Sequence, residues 1–111
     1  MIDGRVIRAV DCNADTFRRS LSRIRDAALQ AEIRDALRLL LLTDLDAPAR
    51  VLHLHQLKNR EAPSVLRAGH KVNPWTIHVT RNDAYKASFT LENGTAYLRI
   101  CDEHDIVDKR P

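Results

Sequence analysis

The amino-acid sequence predicts an α+β fold, with an amino-terminal strand and a two-helix hairpin packed on a mostly antiparallel sheet of four to five strands. Two observations predict this class. Apolar residues recur at helical spacing between residues 17 and 43, whereas they alternate with polar residues in much of the second half. A length of 111 residues suits one core, so we expect residues 1–111 to form a single domain.

The first half of the chain is predicted to contain one short strand followed by two helices. Residues 5–11 hold three apolar side chains in a short polar run, which favours a strand. Apolar residues at helical spacing from Phe17 onward predict an amphipathic helix that ends near Leu29. Asn13 or Asp15 is the expected cap at its amino terminus.

The second predicted helix, over residues 31–43, has an apolar stripe wider than one packing surface requires. Leu39 and Leu42 widen the stripe. Packing of these leucines on the sheet is the more common arrangement, and an exposed surface that binds a partner is the alternative. Residues 44–48 should end the helix, because Pro48 cannot continue it.

The next segments are predicted to be a strand, a long loop and a second strand. Residues 50–57 alternate as a strand would, placing His53 and His55 on one face. Residues 58–74 lack periodicity and carry several basic side chains, so we expect a long functional loop. Residues 75–80 then alternate again.

Asn93-Gly94, which lies between two alternating apolar runs, is the clearest local signal in the sequence. Both residues tolerate the positive φ angles of a two-residue turn, so we predict a tight hairpin. Glu92 then faces Thr95, and counting outward gives a regular register. The pairs expected from that count are Leu91 with Ala96, Phe89 with Leu98, Ser88 with Arg99, Ala87 with Ile100, and Lys86 with Cys101.

This register predicts a basic sheet face that also carries histidine. Lys86 and Arg99 lie on the polar face, and the preceding strand adds His78 beside Lys86 or Ser88. His104 follows where the last strand ends, next to Asp105. An imidazole beside a carboxylate can transfer protons near neutral pH, so this corner is a candidate acid–base site, with a structural histidine as the alternative.

The charge distribution favours an anionic partner for the second half of the chain. The formal net charge is +3, and between residues 50 and 99 basic residues outnumber acidic ones. An ordinary solvated basic face is the alternative. Phosphates and unstacked bases of an RNA strand would need cations and a stacking partner. The candidate RNA-binding residues are Lys58, Arg60, Lys71, Arg81 and Tyr97.

Other kinds of chemistry find little support in the sequence. The two cysteines lack metal-site spacing, and there is neither a glycine-rich phosphate loop nor a serine-nucleophile motif. His53 and His55 are a weak metal signal without a third ligand at a diagnostic spacing. We therefore expect no metal and no cofactor. The sequence also shows no export signal and no membrane span, which favours the cytoplasm.

Four short stretches carry a family resemblance: W-T-I-H-V-T, Y-K-A-S-F, the Asn93-Gly94 turn and the closing D-E-H-D-I-V. Together with the order of elements, they resemble the RelE/ParE superfamily of toxins from bacterial toxin–antitoxin modules. The layout covers essentially the whole chain, and the sequence likeness lies in residues 48–108. Members similar to RelE, HigB and YafQ cleave messenger RNA on the ribosome, whereas ParE-like members inhibit DNA gyrase by binding.

The resemblance implies a metal-independent endoribonuclease in which the 2′-hydroxyl of RNA attacks the adjacent phosphate. His104 would be a general acid or base, and His78 the second candidate base. Lys86, Arg81 and Arg99 would stabilise the phosphate or the transition state. The family usually has arginine where Lys86 stands, and lysine cannot make the same planar two-point contact, so Arg99 is an alternative.

The resemblance also implies partners. These are a cognate antitoxin, and the ribosome with messenger RNA, or DNA gyrase if the ParE-like activity holds. Leu39 and Leu42 would contact the antitoxin, because a docked helix or an added strand would cover them. A plain nucleic-acid-binding or protein-binding module is a third possibility.

Overall fold

The computed structural model describes residues 6–82 and 84–111. The elements in chain order are β1 (Ala9–Asp11), α1 (Asp15–Ser22), α2 (Ala27–Leu40), a 3₁₀ turn (Arg50–Leu52), β2 (His55–Gln56), β3 (Ala62–Pro63), β4 (Lys71–Val72), β5 (Trp75–His78), β6 (Tyr85–Glu92), β7 (Thr95–Glu103) and α3 (His104–Lys109). Five strands form one mixed sheet in the order β1-β7-β6-β5-β2, and β3 pairs with β4 separately. Only the β1–β7 pair of the main sheet is parallel among the described residues, so the predicted fold class is confirmed.

The two predicted helices are present, but their boundaries differ from the prediction. α2 begins well before residue 31, because the Asp26 carboxylate accepts hydrogen bonds from two backbone N–H groups of its first turn, at 2.8 and 3.2 Å. The predicted cap of α1 by Asn13 or Asp15 is wrong. Ala14 precedes α1 and makes no side-chain capping bond.

The ends of the predicted first and second strands also change. β1 begins later than predicted, and residue 5, where the prediction started, lies outside the described part of the chain. The strand predicted over residues 50–57 is mostly wrong. It forms a 3₁₀ turn followed by His53 at a φ of 46°, and only His55 and Gln56 extend along β5.

The core lies between one face of the main sheet and the helices α1 and α2. Phe89 and Leu98 from the central strands meet Phe17 and Ile33 from the helices, and all four are almost fully buried. Burying a large apolar side chain stabilises the fold by roughly 1.5–3 kcal/mol before packing effects. The predicted apolar helix stripe is therefore what attaches the helices to the sheet.

α1 closes the edge of β7 beyond the point where β1 ends. The Thr16 hydroxyl donates to the carbonyl of Arg99 at 2.7 Å, and the backbone N–H of Cys101 donates to the Ser20 hydroxyl at 2.9 Å. Ser20 is itself buried. Side chains thus pair with backbone groups that a neighbouring strand would otherwise bind.

The hairpin has the predicted turn, with φ angles of 51° at Asn93 and 79° at Gly94. The predicted register holds from the turn as far as Phe89 opposite Leu98. A β-bulge then shifts it between Ser88 and Phe89. Three expected pairs are therefore wrong, and the observed partners beyond the bulge are Ser88 with Ile100, Ala87 with Cys101, Lys86 with Asp102, and Tyr85 with Glu103.

The bulge moves Cys101 from the predicted polar face into the core, where it is fully buried. Burial, together with the charge of Asp102, raises the pKa of the Cys101 thiol to about 12. The second face of the sheet is covered by α3 at one end and by part of residues 58–74 at the other. Within the described residues, no helix has the length and apolar content needed to cross a membrane.

Candidate functional site

Histidine and lysine side chains meet at the end of the sheet face that α3 covers. His78 pairs with Lys86 across β5 and β6, and Lys86 is one of the two neighbours that the sequence predicted for it. His104 is the first residue of α3, and its backbone N–H donates to the carbonyl of Ala84 at 3.0 Å. This hydrogen bond holds the start of α3 beside the start of β6.

Three imidazole rings form a continuous series of contacts. His53 stacks on His78 with ring centroids 4.5 Å apart, and His78 meets His104 edge to face at 5.6 Å and 86°. His53 is the residue in left-handed conformation that follows the 3₁₀ turn, whereas His55 lies on β2 and is exposed. The expectation that His53 and His55 share a strand face is therefore wrong.

Asp108 joins Lys86 to His104, a contact that the sequence did not predict. The Lys86 ammonium donates to Asp108 Oδ1 at 2.8 Å, and His104 Nδ1 lies 3.1 Å from Oδ2. Asp105, the expected partner, lies 3.6 Å from His104 Nδ1 and its side chain is 91% exposed. Residues four apart share a helix face. The spacing of His104 and Asp108 would therefore have indicated this contact if a carboxy-terminal helix had been predicted.

Arg60 approaches the same cluster from the loop before β3. Its Nε donates to the backbone carbonyl of Asp108 at 3.4 Å. The Asn73 side-chain amide donates to the carbonyls of Arg60 at 2.8 Å and Lys58 at 3.4 Å, which holds this loop in place. Lys58 is exposed on the same loop. Of the two predicted RNA-binding residues here, Arg60 is the one in contact with α3.

Arg99 lies in the bulged stretch of β7, so its predicted position opposite Ser88 is wrong. Its Nε donates to the carbonyl of Pro111 at 3.2 Å. Burial lowers the pKa of the Arg99 guanidinium. Arg99 therefore contacts the segment that follows α3, whereas Lys86 contacts Asp108.

Lys71 and Tyr97 lie towards the other end of the sheet. Tyr97 pairs with Thr90, which is four residues from Lys86 along β6, a separation of about 13 Å at the usual strand rise. Lys71 belongs to the separate β3–β4 hairpin, opposite Pro63. The structure therefore separates these two candidates from the histidine cluster.

Arg81 lines a groove of about 190 Å³ beside His78. Two acidic side chains, Glu32 and Asp35, line the same groove, and Glu32 accepts a hydrogen bond from the Arg81 backbone N–H at 2.8 Å. Leu39 completes one wall. Arg81 thus lines the same groove as two acidic side chains and an apolar one, and its hydrogen bond to Glu32 there is made by its backbone N–H.

Leu39 and Leu42 are exposed, with 48% and 69% of their surface accessible, so they do not pack on the sheet. The buried part of the α2 stripe consists of Ile33, Ala36 and Leu40. Leu42 has a φ of 66°, and its backbone N–H donates to the carbonyl of Ile7 at 2.6 Å. An exposed leucine in the left-handed region is unusual and is held there by this backbone contact.

The fold and the cluster together define a small α+β protein with a histidine–lysine–aspartate site at one end of its sheet. Among residues 6–82 and 84–111, no group of three or more His, Cys, Asp or Glu side chains is arranged to hold a metal ion. Comparison of the chain with protein-family models, curated proteins and solved structures finds no match in any of the three.

Proposed function

We propose that this protein is the toxin of a type II toxin–antitoxin module and cleaves messenger RNA on the ribosome without a metal. The observation that carries the proposal is the edge-to-face pair of His78 and His104 with Lys86 beside it. Two proton-transfer groups and one cation are the parts that this cleavage requires. The resemblance to the RelE/ParE superfamily supplies the ribosome and messenger RNA as partners.

The two imidazoles would serve opposite ends of the same displacement. One takes the proton of the 2′-hydroxyl as its oxygen attacks phosphorus. The other gives a proton to the 5′-oxygen as its bond to phosphorus breaks, leaving a 2′,3′-cyclic phosphate. His104 is the first candidate for either role, and His78 takes the other. Each such proton transfer typically contributes 10²–10⁴-fold to the rate.

Lys86 would stabilise the negative charge that develops on the phosphorane. Its side chain is only 11% exposed, so the surroundings screen the interaction of the ammonium with a negative charge less than bulk water does. Arg60 is close enough to α3 to contact the neighbouring phosphate. Lysine supplies a positive charge through a single-point contact, without the planar two-point contact that arginine makes with a phosphate.

The test is primer extension on a reporter messenger RNA in a bacterial cell-free translation reaction. Wild type, His104→Gln and the control His55→Gln are compared, because His55 lies outside the ring contacts. We expect cuts that require ribosomes, that fall at least about 100-fold with His104→Gln and that persist with His55→Gln. Intact messenger together with growth arrest in cells would contradict the proposal.

The antitoxin is expected to cover Leu39 and Leu42. Glycine adopts the positive φ of Leu42 without strain, so Leu42→Gly should keep or raise stability, by up to about 1 kcal/mol, while weakening binding. Copurification with the protein encoded by the adjacent gene measures the effect. Val65→Ser removes another exposed apolar side chain as the control. Equal copurification of both variants with wild type would exclude this surface.

The alternative is gyrase inhibition by binding, as in ParE-like members. One observation favours it: Asp108 already neutralises part of the charge of Lys86, so the cluster is less cationic than its sequence suggests. Inhibition of gyrase supercoiling with no cleavage of messenger RNA would support this alternative.

A further inference from the structure

Asp108 occupies the two groups that an RNA phosphate would also contact. Its Oδ1 accepts from the Lys86 ammonium at 2.8 Å, and its Oδ2 lies 3.1 Å from His104 Nδ1. A carboxylate that bridges two nitrogen groups in this way uses two oxygens, as a phosphate does with its non-bridging oxygens. The Lys86 ammonium and the His104 imidazole are therefore already in contact with an anionic group of the same chain.

Asp108 is placed so that its carboxylate can leave without unfolding of the core. Val107 is fully buried and anchors α3 on the sheet, whereas the Asp108 side chain is 37% exposed. A change of side-chain rotamer would turn the carboxylate towards water. Arg60 contacts the backbone carbonyl of Asp108 rather than its side chain, so this contact does not depend on the rotamer.

We propose that Lys86 and His104 form a phosphate site and that Asp108 is a tethered competitor for it. The identification of the anion as an RNA phosphate rests on the proposed function, whereas the anion site rests on the contacts themselves. A competitor on the same chain acts at a high effective concentration. Free RNA then binds weakly, whereas a phosphate that is held in place beside the site, or that is supplied at high concentration, displaces Asp108. This accounts for cleavage that depends on presentation by the ribosome.

The first test is titration with inorganic phosphate, followed through the imidazole NMR signals of His104. Asp108→Asn removes the competitor, and Asp105→Asn is the matched control, since it removes the same charge from an exposed position of the same helix. We expect Asp108→Asn to bind phosphate on the order of tenfold more tightly than wild type and Asp105→Asn to resemble wild type. Adding Lys86→Met to Asp108→Asn should abolish the gain.

Equal phosphate affinity in the two asparagine variants would overturn the proposal. Reduced RNA cleavage with unchanged phosphate affinity in Asp108→Asn would also overturn it, because Asp108 would then only position His104. Phosphate binding is measured without RNA, so tighter binding in a protein that cleaves nothing would support the anion site and reject the nuclease.

The second test uses the wild-type protein, so it does not depend on the folding of a variant. Displacement by phosphate removes the Asp108 carboxylate from Lys86 and His104. We therefore expect phosphate to shift the side-chain carboxyl NMR signal of Asp108 and to leave that of Asp15, an exposed carboxylate at the start of α1, unchanged. A carboxyl signal of Asp108 that does not respond to saturating phosphate would overturn the proposal.

Discussion

Two carboxylates hold covering segments on the same sheet face, at opposite ends. Asp108 links α3 to the Lys86 ammonium and the His104 imidazole. Glu92 links residues 64–66 to the end of β6 near the hairpin turn. Its donors are the hydroxyls of Ser64 and Thr90, the latter at 3.0 Å, and the backbone N–H groups of Val65 at 2.9 Å and Leu66 at 3.4 Å.

The difference between the two ends is the chemistry of the donors. Burial alone would raise the pKa of Glu92, but the hydrogen bonds, from the Ser64 hydroxyl first, outweigh burial and lower it. Neutral donors that belong to the fold lose their partner if the carboxylate leaves. An ammonium and an imidazole can instead accept a phosphate in exchange. We therefore expect the Glu92 end to be structural and the Asp108 end to take part in the chemistry.

The largest expected effect comes from removing the cation at the Asp108 end, and removing a cation near the Glu92 end is the comparison. Lys86→Met should lower the cleavage rate by about 10²–10³-fold, because the ammonium would stabilise the transition-state charge. Lys71→Met removes the same charge from the hairpin near the Glu92 end and should change the rate little. Single-turnover cleavage of ribosome-bound messenger RNA measures both variants, with circular dichroism as the folding control. Equal losses would show that the two ends do not differ in function.

An intermediate effect is expected at the structural end. Glu92→Gln should lower the free energy of unfolding by about 1–2 kcal/mol at neutral pH, since the ionised carboxylate accepts several hydrogen bonds. The folded-state pKa is lowered, so this stability is present above the unfolded value of about 4.3 and is lost as pH falls through the folded value.

Urea unfolding of Glu92→Gln and wild type across the acid range measures this difference. The two curves should converge as the pH falls. Glu61→Gln, which changes an exposed glutamate on the neighbouring segment, is the control and should match wild type at neutral pH. A difference that does not change with pH would show that the ionised form of Glu92 is not what holds residues 64–66.

Local patterns in the sequence were sufficient for much of this fold. Helical and alternating periodicity predicted the two helices and the central strands, and the chemistry of Asn93-Gly94 predicted the turn. Because two alternating strands share faces, the sequence also placed His78 beside Lys86 or Ser88, and the structure pairs it with Lys86. Each of these inferences depends on residues close together in the chain or on a simple pairing rule.

The missed features depend on contacts between distant segments. Thr16 and Ser20 of α1 hydrogen-bond the bulged stretch of β7, and nothing in the alternation of that strand signals a bulge. α3 has only six residues, too few for a periodic pattern to identify it, so Asp108 was not recognised as the partner of His104. The sequence likewise contains no signal for the left-handed conformation of His53.

The smallest effect is expected at Cys101, on the part of β7 between the bulge and α3. The bulge buries this thiol completely, and burial with the charge of Asp102 raises its pKa to about 12. The reactive thiolate is therefore rare at pH 8, and the reagent cannot reach the sulfur in the folded protein. In a Cys12→Ser background, iodoacetamide should label Cys101 only as fast as the protein unfolds, as followed by mass spectrometry. Cys12, which is half-buried, should label faster in Cys101→Ser.

Rapid labelling of Cys101 in the folded protein would instead favour the regular register. Cys101 would then replace Asp102 opposite Lys86, and the arrangement of the Asp108 end would have to be revised.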